Sequence, residues 1–243
     1  METYRYFKYR TINGNLLNSL NEGTLYFPPQ NKLNDPFDCE LDIKKAINNA
    51  IKLSKPEQAK KLGELLSDSK RLDNFQENID KLGICSFSEE INDSQTLLWA
   101  HYANDHKGIC ITYEFPESFL NDENNILGTS RVTYKPNSLT EWFVELGGEL
   151  PVSDKELITT LLIRVLTAKS PPWEYEKEVR IIRSEHGLFK IEKEHIKQIL
   201  FGLHATDTDI LKVRDAIKVY EHEVKSYKAI RGDDDFGINY IEL

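Results

Sequence analysis

Cysteine is scarce in this chain of 243 residues: Cys39, Cys85 and Cys110 are odd in number and far apart. A secreted domain held by disulfides carries a denser, paired set, so the expectation is a reducing cytosol. No apolar run nears the ~18 residues of a membrane span. The opening Met1-Glu2-Thr3-Tyr4-Arg5 lacks the apolar stretch of a secretory leader. Together these predict a cytoplasmic protein with no membrane partner. Positive charge is also short, since 31 Lys and Arg against 40 Asp and Glu give a net charge of −9. That balance excludes a general nucleic-acid binder, although a local basic cleft is compatible with it. No G-x-S-x-G elbow surrounds Ser86 or Ser88, which argues against an α/β-hydrolase. Internal repeats, low-complexity tracts and long linkers are missing as well.

What is present suffices for a folded core. Hydrophobic residues make up 40% and charged residues 29%, which rules out a mostly disordered chain. Aromatic residues 4–10 read as a strand, Leu16, Leu17 and Leu20 as a helix stopped by Gly23, and residues 24–27 as a second strand. Asn34-Asp35-Pro36 is turn chemistry. Residues 41–81 read as helix, restarting at Pro56, and form a helical insertion. Residues 83–88 are strand-like. Asp93 or Ser94 can cap a helix through Trp99, His101 and Tyr102, closed by Gly108. Ile109, Ile111, Tyr113 and Phe115 alternate with period two. Strands are expected at 131–134 and 173–182, the latter in a hairpin with 188–191 across Gly187. Helices are expected at 156–167 and 210–220, and closing strands at 224–227 and 238–241. This irregular alternation predicts a single α+β domain over residues 1–243, with a mixed or antiparallel sheet and the 41–81 insertion.

The candidate chemistry begins at residues 173–181. As a strand, this segment turns Trp173, Tyr175, Lys177, Val179 and Ile181 one way and Glu174, Glu176, Glu178 and Arg180 the other. Neighbouring carboxylates raise one another's pKa and Arg180 offsets part of this, as suits acid, base or charge-stabilising work. The plainer alternative is a solvated edge strand whose charges prevent aggregation. Ser86 and Ser88 share one strand face and could bond a ligand or serve only as turn residues. Trp99 and Tyr102 offer aromatic surface to a base or nicotinamide ring, or pack in the core. His101 and Asp105 sit at i and i+4 of one helix. Arg5, Lys8 and Arg10 could neutralise a pyrophosphate, or lie on the surface. Cys85, His101, His106 and Cys110 are zinc-type ligands, but their spacing matches no paired unit. A Cys85–His101 nucleophilic pair has no local signature either.

Four motifs in order give the chain a resemblance to a bacterial family known only as a domain of unknown function. They are Phe7-Lys8-Tyr9-Arg10, then Asn34-Asp35-Pro36-Phe37-Asp38, then Cys85-Ser86-Phe87-Ser88 with Trp99-Ala100-His101-Tyr102-Ala103, then Lys169 through Trp173-x-Tyr175-Glu176-x-Glu178-x-Arg180. The resemblance spans nearly the whole chain and implies an accessory or phage-defence role. More distantly, Glu176-Lys177-Glu178 resembles the E-x-E strand of ADP-ribosyltransferases. Ser86-Phe87-Ser88 is similar to their S-T-S strand, with Phe where Thr is usual, and Arg5 or Arg10 would complete their R…S…E order. The ninety or so residues between Ser88 and Glu178 are a longer separation than that pattern leads one to expect, and Trp99-Ala100-His101-Tyr102 has no counterpart in it. That resemblance implies NAD as substrate, with Glu178 stabilising the ribose cation as nicotinamide leaves and Glu176 orienting the acceptor. Arg5, Arg10, Tyr9, Ser86, Ser88, Trp99, His101 and Tyr102 would then bind the nucleotide. The expected activity is transfer of ADP-ribose to a macromolecular acceptor or hydrolysis of NAD, as a toxin or defence effector. The alternatives are a non-catalytic module binding a nucleotide or partner, and a metal-dependent nuclease using Asp35, Asp38 and the glutamates.

Overall fold

The computed structural model of the chain describes residues 2–35, 37–39, 41–68, 75, 78–91, 95–146, 154–232 and 237–243. The alternating aromatic start forms β1 (Thr3–Arg10), which pairs along its whole length with β4 (Ile109–Pro116), from Thr3↔Pro116 to Arg10↔Ile109. Between them in sequence come α1 (Gly14–Glu22), β2 (Thr24–Phe27), α2 (Ile43–Leu53), α3 (Pro56–Ser67), β3 (Gly83–Ser88) and α4 (Gln95–Tyr102). After β4 follow α5 (Glu117–Leu120), β5 (Ile126–Arg131), α6 (Ser138–Glu145), α7 (Asp154–Leu166), β6 (Glu178–Arg183) and β7 (Gly187–Lys190). The chain closes with β8 (Ile196–Phe201), α8 (Asp207–Ile217), β9 (Lys225–Arg231) and β10 (Ile238–Glu242). Eight strands form one sheet in the order β10-β9-β8-β4-β1-β3-β6-β5, antiparallel except for the β8–β9 pair. The fold is a single α+β domain on a mixed sheet. No helix among the described residues is long and apolar enough to cross a membrane.

Period-two patterning sorts the sheet's faces. Tyr6, Cys85, Phe87, Ile109, Ile111, Tyr113, Phe115, Val179 and Ile181 form one buried layer with Leu16 and Leu20 of α1 and Val213 of α8. Local signals set α1: the Asn13 side chain accepts from Leu16 N at its start, and Gly23 closes it at φ 68, a left-handed position that costs glycine little. The opposite face carries two separate apolar clusters. One gathers α2, α3, α6 and α7 over Ile84 and Ile182. The other packs Leu98, Trp99 and Ala103 on Tyr9, Cys110 and Leu200.

The sheet is split between β1 and β3. These strands share one paired position, Phe7↔Ser88, and part beyond it. Backbone polar groups freed in the gap need other partners. Ile84 N donates to Pro28 O at 2.9 Å, and Lys8 Nζ donates to Ser86 O at 2.6 Å.

Three expectations are corrected. Residues 173–177 are not strand: Pro171–Glu176 is a 3₁₀ turn ending at Lys177 with φ 45, and β6 starts only at Glu178. Pro171 and Pro172 preset the φ of a helical first turn and lack amide donors for a ladder. Strand β7 pairs with β2, not with β6, so the expected hairpin is absent. Strand β5 ends at Arg131, and Thr133 makes only an isolated bridge to Ala168. Strand β8 is an addition that the sequence reading did not contain. The expected caps Asp93 and Ser94 lie outside the described residues.

Candidate functional site

The register Ser88↔Glu178 and Ser86↔Arg180 puts these four side chains on one face of the β3–β6 pair. Here the two apolar clusters of that face leave a polar gap, and buried charges fill it. Arg180 has no exposed surface. Its guanidinium donates from Nε to Glu178 Oε1 at 2.7 Å, from Nη2 to Asp38 Oδ2 at 2.6 Å and Glu178 Oε2 at 3.1 Å, and from Nη1 to Leu166 O at 2.5 Å. Cys39 Sγ lies 3.2 Å from Nη1. Asp38 arrives from the Asn34-to-Asp38 turn, next to Cys39 at φ 63.

Lys169, just past α7, completes the cluster. Its Nζ lies 2.5 Å from Glu176 Oε2, 3.0 Å from Glu178 Oε2 and 3.8 Å from Asp38 Oδ2, with the Trp173 ring centroid at 5.0 Å. Glu176 also accepts from Tyr102 Oη at 2.5 Å, and Tyr102 accepts from Asn34 Nδ2 at 3.0 Å. Ser88 Oγ donates to the Glu176 carbonyl at 2.9 Å, and Glu178 N donates to Tyr134 Oη at 2.8 Å. Residues from three of the four motifs therefore meet in one place: Asn34 and Asp38, Ser88 and Tyr102, and Lys169, Glu176, Glu178 and Arg180.

The electrostatics separate the two glutamates. Burial would raise the Glu178 pKa, but Arg180 first, then Lys169 and a Ser86 hydrogen bond, hold it at about 2. For Glu176, burial outweighs Lys169 and Tyr102, and its pKa is raised. Burial would lower the Lys169 pKa, yet Glu178, Glu176 and Asp38 raise it. With both Glu176 oxygens accepting hydrogen bonds, the cluster counts three carboxylates against two cations.

A cavity of about 470 Å³ opens beside the cluster into the β1–β3 split. Asp38, Lys169, Glu176 and Glu178 line it, as do Lys8, Arg10 and Lys32. Arg10 lies three residues along β1 from Phe7, or about 10 Å at strand rise, and like Lys8 it leaves the sheet on the Tyr6 and Phe87 face, so the two reach the pocket through the split. The pocket is thus acidic where Ser88 meets Glu178 and basic further along the split. Burial lowers the Lys8 pKa, since its ammonium sits in that split.

Tyr9, Arg10, Ser86, Ser88, His101, Tyr102, Glu176 and Glu178 all line the pocket. Arg5 does not: it pairs with Glu114 on the exposed surface at 2.5 Å. Trp99 does not either. It is fully buried, meets Tyr9 edge-on at 5.1 Å and donates from Nε1 to Tyr240 Oη, so its role is packing. Glu174 belongs to the exposed surface, which breaks up the expected row of three carboxylates. Lys169 and Tyr134 have roles that sequence reasoning did not assign, and Arg180, expected to offset the neighbouring carboxylates, is also fully buried and bound to Asp38. A lysine, an arginine and a tyrosine at those positions carry no sign of burial. Cys85 and Cys110 are buried in different clusters, and His106 stacks on Trp99. Among the described residues no group of three or more His, Cys, Asp or Glu could hold a metal ion. Asp38 does converge with the two glutamates, but Lys169 and Arg180 fill the space between them. Asp35 caps its own turn by accepting from Phe37 N.

The model of a family described as "Protein of unknown function (DUF2971)" matches residues 98–181. That range takes in Tyr102, Lys169, Glu176, Glu178 and Arg180, but not the expected motifs at 7–10, 34–38 and 85–88. No curated protein and no solved structure matches the chain.

Proposed function

We propose that the chain binds NAD in the β1–β3 split and cleaves its nicotinamide–ribose bond beside Glu176 and Glu178. ADP-ribose would pass to a macromolecule or to water. One observation carries this: the strands bearing Arg10, Ser86/Ser88 and Glu178 are adjacent in the sheet, in the order β1-β3-β6, and the first two part to form a pocket. The R…S…E order of the sequence is therefore also an order of neighbouring strands, although Arg10 leaves the sheet on the Tyr6 face and Ser88 and Glu178 leave it on the other. The cavity is within the ordinary range for a small-molecule site. Arg10, Lys8 and Lys32 suit a pyrophosphate.

The chemistry asked of the acidic end is electrostatic. As the C1′–N bond breaks, its electron pair leaves with neutral nicotinamide, and the ribose gains positive charge. A buried cluster with one carboxylate in excess favours that charge most where water is excluded. The acceptor then forms the new bond to C1′ and gives up its proton. Glu176, with its raised pKa, is the better-placed base. An enzyme of this kind would act as a toxin or defence effector by depleting NAD or modifying a target.

The pairing of Glu178 with Arg180 and Lys169 favours a second reading, a non-catalytic nucleotide-binding module. Nicotinamide release separates the two. Purified protein is given NAD with and without cell lysate as acceptor, beside Glu178→Ala. Release by the wild type and its loss in the variant support the enzyme. NAD bound but recovered intact supports the module.

A further inference from the structure

We infer that Lys169 is a positioning residue, whose ammonium holds the Glu176 and Glu178 carboxylates apart and in fixed orientation on the pocket wall. Its kinetic consequence rests on the NAD reading; its structural consequence does not. Lys169 Nζ contacts Glu176 Oε2 at 2.5 Å and Glu178 Oε2 at 3.0 Å, so the two carboxylates approach each other across one cation. The lysine is itself fixed, buried at 7% exposure with the Trp173 ring over its ammonium. Arg180 is committed to Glu178 and Asp38 and has no bond to Glu176.

Several other groups face Glu176. They are Tyr102 of α4, with His101 beside it, and Glu178 and Tyr175 of its own segment, while Asp38 faces Lys169 from the turn. Tyr134 lies close by. Among the described residues, the cation paired with the Glu176 carboxylate is Lys169. Without it, two like charges meet in a low dielectric, and one takes up a proton nearer neutral pH. That proton would cancel the negative excess at the acidic end and let the Glu176 side chain turn.

The test uses the full chain with ¹³C-labelled glutamate carboxyls, titrated by NMR, alongside nicotinamide release. In Lys169→Met one buried glutamate should titrate about one pH unit or more higher than in the wild type. kcat should fall about 100-fold with KM for NAD held within about threefold, the signature of lost positioning. A folded Lys169→Met with unchanged titration and unchanged kcat overturns the inference. Should Lys169→Met fail to fold, Lys169→Arg takes its place, keeping the charge but presenting a planar fork. It should leave the glutamate titration within about half a pH unit and lower kcat about tenfold. A titration displaced as far as expected for Lys169→Met, or wild-type kcat, would overturn the inference. Should the wild type release no nicotinamide, the NAD reading fails, and the titration alone decides for or against the role of Lys169.

Discussion

Replacing Arg180 with methionine keeps much of its volume and removes its charge. In the folded chain that guanidinium serves both oxygens of Glu178, one oxygen of Asp38 and the Leu166 carbonyl. After Arg180→Met, three carboxylates share Lys169, and Asp38 keeps only a 3.8 Å contact with it. Breaking a buried ion pair on one side costs about 3–5 kcal/mol, because the remaining charge stays buried and uncompensated. With an m-value of about 2–3 kcal/mol/M, the urea midpoint should fall by about 1–2.5 M. Tryptophan fluorescence follows the transition, with Arg131→Met as control. Arg131 pairs with Glu89 on an exposed edge, its side chain 78% accessible, so its removal should cost no more than about 1 kcal/mol. Equal midpoints for the two variants would refute the view that the Arg180 cluster is a buried, mutually dependent charge set.

Two other predictions follow from the site. Glu178 titrates at about 2 in the folded chain, below the ~4.3 of an unfolded glutamate. Its stabilisation is therefore present above pH ~4.3 and lost as the pH falls toward 2. Glu176, with its raised pKa, works against that slope, so the quantity to read is a difference: denaturation from pH 5 to 2 should show a shallower loss for Glu178→Gln than for wild type. Arg10→Ala should weaken NAD binding by tenfold or more, about the 1.5–3 kcal/mol of a charged hydrogen bond, whereas Arg5→Ala should leave calorimetric affinity unchanged.

Much of the sheet was legible because its strands are written locally. Residues 109–115 alternate, and 83–88 are bounded by turn residues. The 173–178 segment misled for a physical reason. Glutamates two apart fit a strand, yet the two prolines before them set a 3₁₀ turn, and Lys177 in a left-handed conformation turns Glu176 back beside Glu178. Both carboxylates reach the site, by a route other than simple alternation. Strand β7 could not be paired from sequence, because its partner β2 lies some 160 residues away and the choice is made by packing Phe189 against Phe27. Lys169 and Arg180 look like surface charges in isolation. Only the meeting of Asp38, Glu176 and Glu178 in space makes their burial tolerable.

The central claim, that NAD occupies the β1–β3 split, is tested most directly by amide hydrogen exchange with and without NAD. Backbone groups along the gap lack a cross-strand ladder partner there, so those without another acceptor should exchange readily in the free chain, unlike Ile84 N, which donates to Pro28 O. The account predicts NAD-dependent protection in peptides covering residues 7–11, 84–88 and 98–102, with β9 and β10 unchanged. Protection confined to other surfaces, or none at saturating NAD, would contradict it.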